Sequence, residues 1–141
     1  MITTVPMITE EDYFAGYKDN PGITDEMREN ARTMLALVNA LLDDARTERV
    51  LLQVNPGTGT LVSGNTDGGW RPQECHIGAP QSAHKQGRAV DVCDPDGDLD
   101  RWITDPILAS YGLYREHPSA TPHWVHLTDR GPPSGSRTFF P

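Results

Sequence analysis

The chain of 141 residues is poor in cysteine: only Cys75 and Cys93 are present. Two thiols make no disulfide framework, and both are predicted to be free. Also missing is a basic, apolar start. Met1-Ile2-Thr3-Thr4-Val5-Pro6 has neither the charge nor the apolar stretch of a secretory signal, so synthesis in the cytoplasm, a reducing compartment, is expected. No apolar run approaches the roughly 20 residues that cross a bilayer, which argues against a membrane partner. Basic residues are scarce: 12 Lys and Arg stand against 20 Asp and Glu, a net charge of −8. A nucleic-acid binder needs a basic face, so that class falls away. Repeats, low-complexity tracts and linkers are missing as well. The length suits one domain, here 1–141, with a helical part over 1–48 and the chemistry in 49–141.

In the first part, Thr9 ahead of Glu10, Glu11 and Asp12 is an N-cap followed by acidic first-turn residues. Asn20-Pro21-Gly22 breaks the chain. Thr24 then caps a longer helix whose apolar positions Met27, Ala31, Met34, Leu35, Val38, Leu41, Leu42 and Ala45 form one buried face. Beyond Arg49 the pattern predicts short strands at Val50–Val54 and Thr60–Ser63 around a turn. A long glycine-containing loop follows over 64–81, and such loops usually carry function. Ala89–Cys93 is a strand, Asp98 caps a short helix, and Asp105-Pro106 starts another that Gly112 ends. Leu113–His117 and His123–Leu127 read as two more strands, and the tail from Gly131 to Gly135 as irregular. Helices first and strands later predict an α+β fold with a small, mainly antiparallel sheet.

The chemistry-bearing side chains gather in two segments. One is Ser82-Ala83-His84-Lys85-Gln86-Gly87-Arg88-Ala89-Val90-Asp91; the other is Pro122-His123-Trp124-Val125-His126-Leu127. Side chains alternate along a strand, so Asp91 shares a face with Ala89 and Cys93, and His126 with Trp124. If the two strands are neighbours, Asp91 and His126 converge, and Gly87 lets the chain turn back to bring in His84. Two imidazoles and one carboxylate suit zinc, and three protein ligands leave a fourth position open, the pattern of catalytic sites.

The string Ser82-x-His84-x-x-Gly87-x-Ala89-x-Asp91, followed by Trp124-x-His126, resembles the zinc peptidases of the D-alanyl-D-alanine carboxypeptidase and L-alanyl-D-glutamate endopeptidase family. That family shares a fold with the Hedgehog signalling domain and includes many phage lysis enzymes. Val62-Ser63-Gly64 and Gly69-Trp70-Arg71-Pro72 are similar to its strand-then-arginine segment, and Pro132-Pro133-Ser134-Gly135-Ser136-Arg137 to the tail of phage-encoded members. The resemblance implies Zn2+ held by His84, Asp91 and His126, with Arg71 holding substrate near the metal. Ser82 and Trp124 join Arg71 on the substrate side. It implies action on peptidoglycan stem peptides, at a D-Ala-D-Ala or L-Ala-D-Glu bond, and the chain itself is expected to be a monomer. Release to the wall would be by a separate route such as a phage pore, or the protein would be a virion component.

One departure stands out. The family usually places Asp or Glu three residues before its last ligand, as general base, and here that position is His123. Glu116 is a second candidate: with the strands folded about Ala120, Glu116 lies opposite Trp124 and Tyr114 opposite His126, on the metal face. Either group would take a proton and return it to the leaving amine, while Arg71 steadies an oxyanion or a substrate carboxylate. His76 and His117 read as surface or structural residues. The rival reading is a zinc- or wall-binding protein on the same fold that no longer catalyses. Asp94-Pro95-Asp96-Gly97-Asp98-Leu99-Asp100 imitates a calcium loop, but its glycine comes fourth, not sixth, and Gly57-Thr58-Gly59-Thr60 lacks the Lys of a P-loop.

Overall fold

The long amphipathic segment after Thr24 forms the helix against which much of the core assembles. In the computed structural model, which describes residues 7–77, 79 and 81–141, helix α1 spans Glu10–Phe14 and helix α2 spans Asp25–Thr47. The Thr9 hydroxyl accepts from Asp12 N, and the Thr24 hydroxyl accepts from Met27 N, so both predicted caps are in place. The periodic face of α2, from Ala31 to Ala45, is buried. It joins one apolar cluster with Val90, Val92, Val125 and Leu127 from the strands.

Strands β1 (Ala89–Cys93), β2 (Tyr114–Glu116), β3 (Trp124–Thr128) and β4 (Thr138–Phe139) form one sheet in the order β1-β3-β2-β4. The fold is α+β, with four helices and a small sheet. The sheet is mixed rather than mainly antiparallel. β1 and β2 flank β3 antiparallel, but β4 lies parallel to β2. The β4 strand grows out of the tail beyond Gly135, where backbone bonds from Arg115 N to Arg137 O and from His117 N to Phe139 O lock it in.

No strands form at Val50–Val54 or Thr60–Ser63. Only isolated bridges remain, Asn55 with Thr60 and Val62 with Val92. Side chains take the place of a ladder: the Asn55 amide donates to the carbonyls of Val62 and Gly64, and Thr58 and Thr60 hydroxyls satisfy this turn. This segment still completes the sheet, because Ser63 N donates to Asp91 O, Asp91 N to Gly68 O, and Cys93 N to Leu61 O. The outer edge of β1 is thereby covered.

Helices α3 (Asp98–Trp102) and α4 (Asp105–Tyr111) link β1 to β2. Asp98 does not cap α3. The Asp94 carboxylate reaches across the turn and accepts from Leu99 N and Asp100 N. Thr104 caps α4, and Gly112, in the left-handed region, ends it. Both cysteines are free thiols. Among the described residues, no helix is long and apolar enough to cross a membrane.

Candidate metal centre

Asp91 and His126 stand directly opposite each other in the β1–β3 ladder. Both backbone groups of Asp91 bond outward to residues 63 and 68, so this is a non-hydrogen-bonded pair, the kind whose side chains approach most closely. His126 Nδ1 lies 3.0 Å from Asp91 Oδ1. His84 comes from a short 3-10 helix, Ala83–Gln86, whose first turn is capped by the Ser82 hydroxyl. Gly87 ends it in the left-handed region and turns the chain into β1. His84 Nε2 then lies 3.3 Å from Asp91 Oδ1 and 3.2 Å from His126 Nδ1.

Proton positions follow from the partners. The Gly69 carbonyl can only accept, so its 2.8 Å bond to His84 Nδ1 puts a proton there and turns Nε2 toward the centre. Such a second bond is what fixes the tautomer of a metal-binding imidazole. The carboxylate is divided in its duties. Oδ1 faces the two imidazoles, while Oδ2 accepts from Arg71 Nη2 at 3.3 Å. Burial alone would raise the Asp91 carboxyl, but the adjacent imidazoles, His84 foremost, hold it well below the usual carboxylate range. It is an anion beside two ring nitrogens. A cation is the natural occupant.

The donor set fits zinc. Ligands about 2.0–2.2 Å from a tetrahedral ion stand roughly 3.3–3.6 Å from one another, and the three observed separations of 3.0, 3.2 and 3.3 Å lie at or just inside that triangle. Among the described residues, this buried trio is the group of three or more His, Cys, Asp or Glu donors that converges on one point.

A cavity of about 580 Å³ opens over the trio. Arg71, Ser82, Glu116 and Trp124 line it, as the sequence led us to expect for the site. His123 does not. It is exposed beside β3 and lines a separate hollow with Cys93, Pro95 and Asn55, outside the cavity over the trio. The β2 register also differs from the expected one. Tyr114 pairs with Thr128 and Arg115 with Leu127, because a 3-10 turn at Pro118–Ala120 widens the connection. A shift of two residues preserves the face, and Glu116 remains on the side of His126, between it and its β4 neighbour Phe139.

Arg71 is more heavily engaged than expected. Its Nε donates to Asp67 O at 2.7 Å and its Nη1 to Ile77 O at 3.3 Å, besides the bond to Asp91. Each of its three nitrogens thus donates once to the loop or to the carboxylate. His76 is exposed, and His117 stacks on Phe140 with ring centroids 4.5 Å apart. Sequence reasoning missed the wall formed by Arg130, Pro132, Pro133, Phe139 and Phe140. For Arg130 a signal was present, since it extends the alternation Trp124, His126, Thr128 by one more step. Comparison with family models, curated proteins and solved structures finds no match for this chain.

Proposed function

We propose that the protein is a zinc-dependent peptidase acting on peptide bonds of peptidoglycan stem peptides. The single observation that supports this most is the convergence of His84 Nε2, Asp91 Oδ1 and His126 Nδ1 at the floor of an open cavity that also contains a carboxylate, Glu116. A closed structural site would use a fourth protein ligand, and here the fourth side faces the cavity. The motif resemblance supplies the substrate class, and the Hedgehog/D,D-peptidase fold belongs to the same proposal. So do the monomeric state and a phage lysis or virion role.

Zinc held by these residues would polarise a scissile carbonyl and make water a better nucleophile near neutral pH. The protein's own groups perform the rest. Asp91 keeps its charge next to the imidazoles, and Arg71 fixes that carboxylate through Oδ2. Glu116 accepts a proton from the attacking water and returns it to the departing amine. Trp124 and Phe139 add aromatic surface to the cavity lining.

The test is a digest of purified peptidoglycan, read by mass spectrometry for new amines, with and without chelator. Chelator-sensitive release is expected. Tight wall binding with no product would support the non-catalytic reading instead.

A further inference from the structure

Two arginines line the cavity, and their surroundings differ. Arg71 has a protein acceptor on every guanidinium nitrogen. Arg130 has one bond, from Nη1 to Gln86 Oε1 at 2.9 Å. Among the described residues, its Nε and Nη2 have no hydrogen-bond partner, and no carboxylate lies within ion-pair distance. The nearby acid is already taken, because Asp129 pairs with Arg88 at 2.9 Å. Arg130 is half-buried, so its charge is partly stripped of water without an anion in return. Burial first, and then the neighbouring Arg88 charge, press its pKa below the ordinary guanidinium range. A half-desolvated cation with free, coplanar donors at a cavity wall is suited to a planar bidentate anion.

The position is set from two sides. The Arg130 backbone N–H donates to the Thr128 hydroxyl at 3.0 Å, which anchors it just past the strand that contributes His126. Gln86, the residue that holds its Nη1, belongs to the same 3-10 helix that contributes His84. Arg130 is thus tied to two of the elements that carry donors of the metal trio.

We propose that Arg130 is the carboxylate-recognising residue of this cavity, selecting peptides with a free carboxylate close to the bond that lies over His84, Asp91 and His126. The assignment rests on the peptidase reading for the nature of its ligand, and it separates two duties: Arg71 positions Asp91, and Arg130 selects substrate. A stem peptide offers two such groups, the terminal D-Ala carboxylate and the α-carboxylate of D-Glu. Their chemistry is the same, and the assay tells them apart.

The experiment uses the full chain, zinc-loaded and chelator-treated, with a synthetic stem pentapeptide ending in D-Ala-D-Ala. Two further versions carry a carboxamide in place of either the terminal or the D-Glu α-carboxylate. Calorimetry reads affinity, and amine release is followed in the same samples. Wild type should bind the full acid about 10- to 100-fold more tightly than one of the two amides, the range of a charge-assisted pair. That amide identifies the carboxylate. Arg130→Met should abolish the preference, and Arg130→Lys should keep part of it, with zinc content and melting temperature checking that both variants fold. A wild type that ignores amidation, or an Arg130→Met protein that keeps the full preference, overturns the assignment. An Arg130-dependent preference without amine release would sink the peptidase reading and leave the carboxylate site standing; amine release with an unchanged preference in Arg130→Met does the reverse.

Discussion

Gly87 presses against the Met27 carbonyl of α2 so closely that a Cβ there would stand 2.5 Å from the oxygen. Its φ of 76° adds a second barrier to any other residue. The contact ties the His84 helix to the main core helix. Gly87→Ala should cost more than about 1 kcal/mol and weaken zinc binding as well. Urea melts with and without zinc check this, and a variant with unchanged midpoint would show the contact to be slack.

Removing any one donor should remove the ion. His84→Ala, Asp91→Ala and His126→Ala are each expected to purify with little zinc, and the wild type with close to one ion per chain. Zinc should also protect the wild type against heat, by about 2.7 kcal/mol at a free concentration 100 times Kd, and chelator should reverse it. Metal analysis and melting curves provide both readings.

Glu116→Gln is nearly isosteric and is expected to retain zinc while losing about 10²- to 10⁴-fold in amine release, the usual contribution of a general base. His123→Ala, outside the cavity, should stay within a few-fold of wild type. The opposite pattern would return the proton-transfer role to His123.

Tyr13 is wholly buried, beside the Ala89 backbone, without a hydrogen bond of ordinary geometry. Burial, chiefly, raises its pKa far above 10. A raised pKa leaves stability intact below the unfolded value of about 10 and removes it as pH climbs beyond. At pH 11 the loss from this one phenol should be about 1.4 kcal/mol. Tyr13→Phe should flatten that alkaline limb and be neutral or slightly stabilising at pH 7, since it deletes an unpaired hydroxyl. Denaturant melts at pH 8 and pH 11 make the comparison.

Residues whose role depends on local pattern were legible. The α2 face could be read from three-and-four spacing, and the opposition of Asp91 and His126 from strand alternation plus one assumption about neighbours. What escaped depends on partners remote in sequence. Thr60–Ser63 looks like a strand, yet apart from one bridge to Asn55 its backbone is bonded to side chains and to β1. The β4 pairing relies on Arg115 and His117 offering their N–H groups to the tail, which no propensity reports. Likewise the occupation of Arg71 comes from the carbonyls of Asp67 and Ile77, and a backbone carbonyl has no signature in a sequence.

The sheet has almost no open border. Residues 61–68 sit along β1, and the opposite side finishes in a strand of two residues. Long bare borders are where separate chains zip together into aggregates. Among the described residues the sheet leaves no long bare border for such pairing, so sedimentation of concentrated solutions is expected to show no growth of edge-paired aggregates.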